Sequence, residues 1–370
     1  MGTDLVRLFL SGDVMLGRGI DQILPHPGDP SLPERYVSDA RAYVSLAETA
    51  HGPVPRPAGF GYPWGAARAA LDRAAPDARI VNLETAVTHD GAPVPGKAIH
   101  YRMHPANLPC LATVRPDVCV LANNHVLDYG HRGLDETLDS LAAAGLRTAG
   151  AGRDSDRARR PAVVPLRDGG RIIVVALGLA SSGVPSDWAA TAHRGGIDFA
   201  ARADDRTAAR VTTLLRRLKS PGDIAVVSLH WGSNWGYTLP ATHIAFAHTL
   251  IDGGADIVHG HSSHHPRPLE TYRGKLILHG CGDLIDDYEG ISGHEEYRDD
   301  LRLLHVASVA REDGRVREVR LIPLQARRLR LEHASGPDTR LLHDLLGRIS
   351  RPHGTGITVA PDGNLIARPA

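Results

Sequence analysis

The 370-residue sequence has little of several features that mark particular classes of protein. Its three cysteines, Cys110, Cys119 and Cys281, are too few and too scattered for a disulfide framework. No apolar run approaches the roughly 20 residues that span a bilayer, and residues 1–5 lack the basic and apolar regions of a signal peptide. We therefore expect a cytoplasmic protein with reduced thiols and no membrane partner.

Net charge is also absent, because 42 Lys and Arg residues balance 42 Asp and Glu residues. Lysine itself occurs only at positions 97, 219 and 275. A neutral chain without a basic stripe is not expected to bind nucleic acid. Aromatic residues are scarce, at 5%, so aliphatic side chains must supply most of the core packing. Histidine is abundant instead, with 21 residues, several of them clustered.

Apolar strand patterns alternate with helical patterns along most of the chain. The pattern predicts strands at 5–10, 78–83, 114–122, 147–149, 171–177, 224–229, 257–258 and 275–279, and helices at 64–75, 134–144, 208–218 and 242–252. This alternation is typical of βαβ units and a largely parallel sheet. Two similar halves would form two packed sheets with helices outside.

The pattern changes after residue 300. A hairpin is predicted at 301–310 and 316–324, a helix at 339–350 and a small hairpin at 356–366. We expect one domain over 1–330, with 331–370 packed on it. The Pro- and Gly-rich stretch 25–63 is predicted to be an insertion or lid.

Polar side chains recur where the predicted strands end. Asp13, Glu84, Asn124 and His230 each follow an apolar run. Loops at the carboxyl ends of strands in α/β sheets bind ligands, and these residue types suit a divalent metal. The alternatives are a helix cap for Asp13, a loop cap for Glu84 and a hydrogen-bonded core histidine for His230.

Two motifs are more specific than these single residues. In NNHVLDYG, the Asn124 amide oxygen could ligate a metal, His125 could protonate a leaving group, and Asp128 could orient that histidine or hold the loop. In HGHSSHHP, four imidazoles lie within seven residues after a predicted strand. Spacing does not decide which of them ligate; we favour His261 and His264, then His259.

Other residues are weaker candidates. Lys97, Arg102 and Arg18 could bind an anionic phosphate or carboxylate, although ordinary surface charge is the alternative reading of the first two. Trp231 could form a pocket wall or lie in the core. Asp283 could reach the site or form a turn, whereas Asp286 and Asp287 are expected to be solvated.

Six stretches together resemble the CapA family of capsule and poly-γ-glutamate synthesis, within the calcineurin-type metallophosphatase-like superfamily. These are SGDVMLGR, VNLETA, LANNHVLDYG, SLHWG, GHSSHHP and RGKLILHGCGD, and the resemblance covers roughly residues 5–325. It implies an α/β fold, specifically a four-layer αββα sandwich of two packed mixed sheets flanked by helices. Met15 stands where the calcineurin-type pattern has a histidine, and Glu84 where it has an aspartate.

The resemblance also implies ligand roles and a proton donor. The metal ligands would be Asp13, Glu84, Asn124, His230 and His261 or His264, and His125 would be the proton donor. One or two Mn, Zn or Fe ions are expected, activating a water that attacks an amide (γ-glutamyl or peptide-like) or phosphoester bond. The substrate would be an anionic small molecule or peptide. The alternative is a non-catalytic accessory protein of polyglutamate or capsule synthesis with a vestigial site.

Overall fold

The computed structural model describes residues 4–167 and 169–370. Within this part of the chain, strands and helices alternate as far as residue 285, and strands dominate afterwards. The strands, in chain order, are β1 (Leu5–Val14), β2 (Ala78–Leu83), β3 (Ala86–Val87), β4 (Arg102–Met103), β5 (Val118–Val120), β6 (Arg147–Ala149), β7 (Ala151–Gly152), β8 (Ala162–Pro165), β9 (Arg171–Leu179), β10 (Gly196–Ile197), β11 (Phe199–Ala200), β12 (Ile224–His230), β13 (Ile257–His261), β14 (Leu269–Tyr272), β15 (Lys275–Leu278), β16 (Asp283–Ile285), β17 (Leu301–Ala310), β18 (Val316–Arg327), β19 (Arg330–His333), β20 (Thr355–Val359) and β21 (Leu365–Pro369).

The five predicted helices are present with shifts at their ends, as α3, α5, α7, α8 and α9, whereas α1, α2, α4 and α6 were not predicted. They are α1 (Arg18–Ile23), α2 (Arg41–His51), α3 (Gly65–Ala74), α4 (Pro109–Ala112), α5 (Gly130–Ala143), α6 (Ser155–Ala158), α7 (Asp205–Leu218), α8 (Ala241–Asp252) and α9 (Gly336–Ser350). The predicted strand 114–122 is wrong over its first half. Arg115 adopts a positive φ of 47° and the next residue is a proline, so strand pairing begins only at Val118.

Two large mixed sheets form the body of the protein. In the larger sheet the strand order is β20-β21-β18-β17-β1-β2-β5-β6, with β16 and β19 paired to β1 and β18. In the smaller sheet the order is β11-β9-β12-β13-β15-β14, with β8 paired to β9. Parallel pairing connects β1, β2, β5 and β6 in the first sheet and β9, β12, β13 and β15 in the second. The α/β class is therefore confirmed.

Both faces of the central strands are buried, which explains their nearly continuous apolar sequences. Leu8 and Leu10 belong to an apolar cluster shared by the two sheets, whereas Phe9 joins a cluster with α1 to α5. Likewise Ile172 faces the shared cluster and Ile173 packs with α7 and α8. The alternation of side chains along each strand thus divides the core into three clusters.

The segment 25–63, predicted to be an insertion or lid, carries helix α2 and packs against the body. The Tyr43 hydroxyl donates to Glu34 at 3.1 Å, and the Glu34 carboxylate accepts the His100 backbone N–H at 2.9 Å. Its action as a lid stays a prediction. In the described ranges, no helix combines the length and apolar character required to cross a bilayer. The three cysteines are buried and not in disulfides.

Gly12 marks the closest approach between β1 and the segment before β16. A Cβ atom at Gly12 would lie 1.7 Å from the Gly282 carbonyl oxygen, which accepts the Asp13 N–H at 3.0 Å. We predict that Gly12→Ala lowers the free energy of unfolding by about 1–3 kcal/mol or more, because neither backbone can move without breaking strand pairing. Gly347→Ala in α9, with no atom within 4 Å of the new Cβ, should instead add about 0.5–1 kcal/mol. Urea denaturation of both variants tests this; equal stabilities would contradict it.

His305 on β17 is a histidine with a buried, unpartnered Nδ1. Burial lowers its pKa from 6.5 to about 3. The unfolded state therefore binds the proton first as pH falls below 6.5, and stability is lost between pH 6.5 and about 3. Relative to His305→Leu, the parent should lose up to about 1.4 kcal/mol per pH unit in that window. Denaturation series at several pH values, with the half-buried His343→Leu as control, measure this. A pH-independent difference between parent and His305→Leu would refute it.

Candidate metal centre

The carboxyl ends of parallel strands from both sheets meet at one place. In the larger sheet Asp13 is the register neighbour of Asn82 on β2 and of Asp283 on β16. In the smaller sheet His230 on β12 lies beside His261 on β13. One sheet therefore delivers carboxylates and the other delivers imidazoles.

Direct hydrogen bonds join the two sheets at this edge. The Ser262 N–H donates to Asp13 Oδ2 at 3.0 Å, and His259 Nε2 donates to the Ser11 carbonyl at 2.7 Å. His230 Nε2 lies 2.9 Å from Asn124 Oδ1. The positions of the acidic and imidazole groups are thus set by both backbones, and not by flexible loops alone.

Asp13, His230 and His261 form one group whose candidate ligand atoms all lie within 4.8 Å of one another. The two Nδ1 atoms of His230 and His261 are 2.8 Å apart, and His261 Nδ1 is 3.8 Å from Asp13 Oδ1. The far nitrogen of His261 is 2.9 Å from Ser228 Oγ, which also lies 3.1 Å from His259 Nδ1. His259 and His261 are therefore linked through the Ser228 hydroxyl, on the side of His261 away from Asp13.

Asp13, His264 and Asp283 form an adjacent group by the same measure. His264 Nδ1 lies 3.0 Å from Asp283 Oδ1, while Asp283 Oδ2 is buried without a hydrogen-bond partner. Asp13 is common to both groups. A carboxylate placed in this way can bridge two cations, and imidazole with carboxylate is a donor set for Zn, Mn or Fe.

Burial and neighbouring carboxylates raise the pKa values of the acidic residues Asp13 and Glu84. Burial, reinforced by nearby Asp283, raises the pKa of Asp13 to about 7. Burial and the neighbouring Asp13 raise the pKa of Glu84 well above its usual range. The Asn82 amide relieves part of this, donating to Asp13 Oδ1 at 2.6 Å and to Glu84 Oε2 at 3.4 Å. A divalent cation among these carboxylates would favour their ionised forms.

Burial lowers the pKa values of His230 and His261 well below the ordinary histidine value. They are thus neutral near pH 7, the form in which imidazole ligates metals. Glu84 Oε1 lies 3.7 Å from His230 Nε2 and so belongs to the same edge. The predicted ligands Asp13, Glu84, Asn124, His230, His261 and His264 lie together, with His259 one step removed.

His125, Asp128 and Lys97 form a second layer beside the carboxylates. His125 Nδ1 is 2.7 Å from Asp128 Oδ2 and 2.8 Å from Lys97 Nζ, and Lys97 is ion-paired with Asp128. The Tyr101 backbone N–H donates to Asp128 at 2.6 Å. With Nδ1 engaged in this way, His125 Nε2 is directed to the metal edge, 3.9 Å from Glu84 Oε1.

These contacts also set the charges of the three groups. Burial lowers the pKa of His125 to about 4, against the effect of Asp128. Burial opposes ionisation of Asp128, but His125 and Lys97 together lower its pKa. Burial lowers the pKa of Lys97, and Asp128 limits that shift. Asp128 is thus the negatively charged group that His125 and Lys97 both contact.

A cavity of about 200 Å³ opens onto the edge. It is lined by Glu84, Lys97, Ala98, Ile99, Asn124, His125, His230, Asn234, Ser262, His264 and Tyr288. A second cavity of about 210 Å³ continues from it past Trp235 and His294, whose rings stack at 3.8 Å. The combined cleft places a polar floor next to an aromatic wall.

Several expectations for substrate and surface residues are wrong. Trp231 is a core residue, with its indole N–H donating to the His279 carbonyl at 3.0 Å, so it does not form a pocket wall. Asp286 and Asp287 are buried and not solvated, because each neutralises a buried arginine. Asp286 pairs with Arg302 at 2.5 Å, and Asp287 binds Arg18.

The other candidate cations differ in their surroundings. Arg18 is buried, paired with Asp287 and stacked 3.8 Å over the Tyr43 ring, so its charge is already compensated. Arg102 lies over Tyr129 and faces Asp29 at 3.7 Å, outside the lining of the cavity. Lys97, in contrast, contacts His125 and Asp128 and lines the cavity.

Sequence reasoning gave no role to several residues that the structure brings to the centre. Asp283 was an open alternative; it arrives because β16 pairs with β1, a pairing that no local pattern reveals. Ser228, Asn82 and the Ser262 backbone support ligands through hydrogen bonds. Ser228 could have been identified from the sequence, because the alternation of residues in VVSLH puts Ser228 and His230 on one side of the strand.

Together the fold and this edge define an α/β protein with clustered imidazoles and carboxylates able to hold a divalent metal. The family model described as "Bacterial capsule synthesis protein PGA_cap" matches residues 7–288. The chain therefore belongs to this CapA-type capsule synthesis family, which confirms the resemblance.

Relatives extend this assignment across the chain. The "Probable polyglutamine synthesis accessory protein" of Mycobacterium tuberculosis is 51% identical over 99% of this chain and 97% of its own length. The "PGA biosynthesis protein CapA" of Bacillus subtilis is 29% identical over 52% of this chain and 48% of its own. The "Capsule biosynthesis protein CapA" of Bacillus anthracis is 26% identical over 45% and 39%.

Proposed function

We propose that this protein is a metal-dependent hydrolase with a fold of the four-layer metallophosphatase type. The single observation that carries the proposal is the convergence of Asp13, His230 and His261 from two sheets, next to a histidine held by a buried aspartate. A purely structural polar network would not require so many ionisable side chains beside a cavity. The division of the core into clusters outside and between the two sheets supports the fold assignment.

The residues present fit a divalent metal. Asp283 Oδ2 is buried without a partner, and neutral imidazoles face carboxylates whose ionisation burial disfavours. Asp13, His230 and His261 would hold one ion, with Asn124 and Glu84 close to it. His264 and Asp283 would hold a second one with Asp13. When bound, such ions supply Lewis-acid polarisation of a scissile group and a lowered pKa for water.

The chain's own groups supply orientation and proton transfer. Asp128 and Lys97 hold the Nδ1 side of His125, so that Nε2 faces the cavity where a leaving group would lie. A proton held at Nε2 can pass to the departing nitrogen or oxygen of the substrate. Lys97, although ion-paired with Asp128, lines the cavity and could donate a hydrogen bond to a carboxylate or phosphate of the substrate.

The substrate class follows from the relatives by analogy. Proteins named for polyglutamine and PGA synthesis favour an amide substrate rich in carboxylates, of γ-glutamyl or peptide-like type. The proposed fold type favours a phosphoester, which is a weaker argument because one fold serves many reactions. We place the γ-glutamyl amide first.

An accessory, non-catalytic role is the second candidate. In its favour is the name of the M. tuberculosis relative, a probable polyglutamine synthesis accessory protein. Met15 is consistent with it, since a buried thioether is a poor ligand for hard cations. In that role the centre would serve the stability of a surface that contacts a synthesising partner.

Metal content tests the proposed centre. The parent protein, purified without chelator and analysed by elemental mass spectrometry, should hold one or two equivalents of Mn, Zn or Fe more than Asp13→Asn/His230→Ala. His343→Ala, which removes a half-buried histidine of α9 outside these groups, should match the parent. Equal metal content in the parent and the double variant, after reconstitution with each metal, would overturn the proposed centre.

Turnover distinguishes the hydrolase from the accessory protein. With γ-glutamyl peptides and p-nitrophenyl phosphate as probes, we expect hydrolysis that falls about 10²–10⁴-fold in His125→Gln, because the proton donor is lost. Its metal content should be unchanged. The exposed His131→Gln, six residues further along the chain, is the matched control. Metal retention without turnover of either probe class by the parent would favour the accessory role.

A further inference from the structure

A second cluster of histidines and a carboxylate lies on the far side of Trp231. It consists of Glu270 on β14, His279 directly after β15, His353 in the 3-10 turn Arg351–His353, and His248 on α8. The candidate ligand atoms of Glu270, His279 and His353 lie within 4.8 Å of one another. Neither the family assignment nor the proposed hydrolase uses these residues.

Glu270 is the centre of this cluster. Its Oε1 lies 2.6 Å from His248 Nε2, and its Oε2 lies 2.7 Å from His279 Nε2. His353 Nδ1 faces the same Oε2 at 4.0 Å, which is too long for a hydrogen bond. Three imidazole rings thus converge on a single buried carboxylate.

A hydrogen-bond network alone leaves this cluster incomplete. His279 is almost wholly buried, and the nitrogen that it turns to Glu270 is Nε2, at 2.7 Å. His353 points at the same carboxylate without reaching it. An imidazole aimed at a buried carboxylate but too far for a hydrogen bond, beside a second imidazole on the same oxygen, places three ligand atoms where one cation could join them. Three imidazoles and a carboxylate form a tetrahedral donor set for zinc.

The cluster is separate from the candidate metal centre. The Trp231 ring stacks on His279 at 6.0 Å and 6°, and its N–H donates to the His279 carbonyl. Trp231 thus contacts the cluster, while His230, the residue before it, belongs to the candidate metal centre. None of the four residues belongs to the groups that contain Asp13.

We propose that Glu270, His279, His353 and His248 bind one zinc-class divalent ion with a structural role. Glu270, His279 and His353 already lie within 4.8 Å of one another, and a small movement of His248, whose Nε2 is 2.6 Å from Glu270 Oε1, would bring in a fourth protein ligand. Four protein ligands would complete the coordination and leave no position for a substrate. The ion would join α8, β14 and the end of β15 to the turn that follows α9. It would add to two existing contacts, Leu269 N–H to Ser350 Oγ at 3.0 Å and Thr271 Oγ1 to Thr355 Oγ1 at 3.0 Å. The metal would then cross-link the C-terminal segment to the rest of the protein.

Zinc stoichiometry and zinc-dependent stability test this site. The parent, His353→Ala and His343→Ala are equilibrated with zinc, freed of excess metal and analysed for metal content and for Tm. We expect His353→Ala to lose about one equivalent and most of the zinc-induced rise in Tm, whereas His343→Ala keeps both. Both histidines lie near the C-terminus and are partly exposed, and His343 pairs only with Asp344.

Two further variants separate this site from the first. Asp13→Asn/His230→Ala should still bind the zinc that His353→Ala loses, and Glu270→Gln, close in shape to the parent, should lose it as His353→Ala does. The inference is overturned if His353→Ala and Glu270→Gln both bind as much zinc as the parent. It is equally overturned if the zinc that they lose is already absent in the folded Asp13→Asn/His230→Ala protein. Failure of the proposed hydrolase leaves these measurements unaffected.

Discussion

The burial of like charges at one edge is the constraint on which the rest of the molecule depends. Asp13, Glu84 and Asp283 are withdrawn from water close to one another, and burial disfavours the ionised forms of Asp13 and Glu84. Such an arrangement persists only when the surroundings supply compensating donors or cations. The Asn82 amide, the Ser262 backbone N–H and the imidazoles of the second sheet do so here. These donors reach the carboxylates only in the observed strand registers of the two sheets.

The two sheets contribute different kinds of ligand because they differ in their strand ends. Asp13 and Asn82 lie one residue before the ends of β1 and β2, Asp283 begins β16, and β12 and β13 end in histidines. The carboxylates of the larger sheet repel one another when ionised, and the neutral imidazoles of the smaller sheet add metal-ligand atoms but no charge. Docking of the sheets therefore brings together both the apolar cluster between them and the complementary polar groups.

Much of this could be predicted from the sequence, because strands buried on both faces leave long apolar runs and their polar ends are conspicuous. The class of fold, most strands and the grouping of Asp13, His230, His261 and His264 follow from that pattern. The wrong predictions concern residues whose burial depends on contacts with parts of the chain far away in sequence. Asp286 and Asp287 look solvated until Arg302 and Arg18 arrive from elsewhere in the chain. Trp231 looks like a pocket wall until His243 stacks on it at 4.7 Å.

The placement of β1 has a consequence for the order in which the protein can fold. This strand precedes the other described strands in the chain, yet one of its two long partners is β17, with pairs running from Leu5 and Ala310 to Leu10 and His305. Some 300 residues must leave the ribosome before that edge of β1 is covered. The larger sheet therefore has a high contact order, and its earliest strand stays exposed during synthesis. The family match, which ends at residue 288, stops short of the strand that completes the sheet around β1.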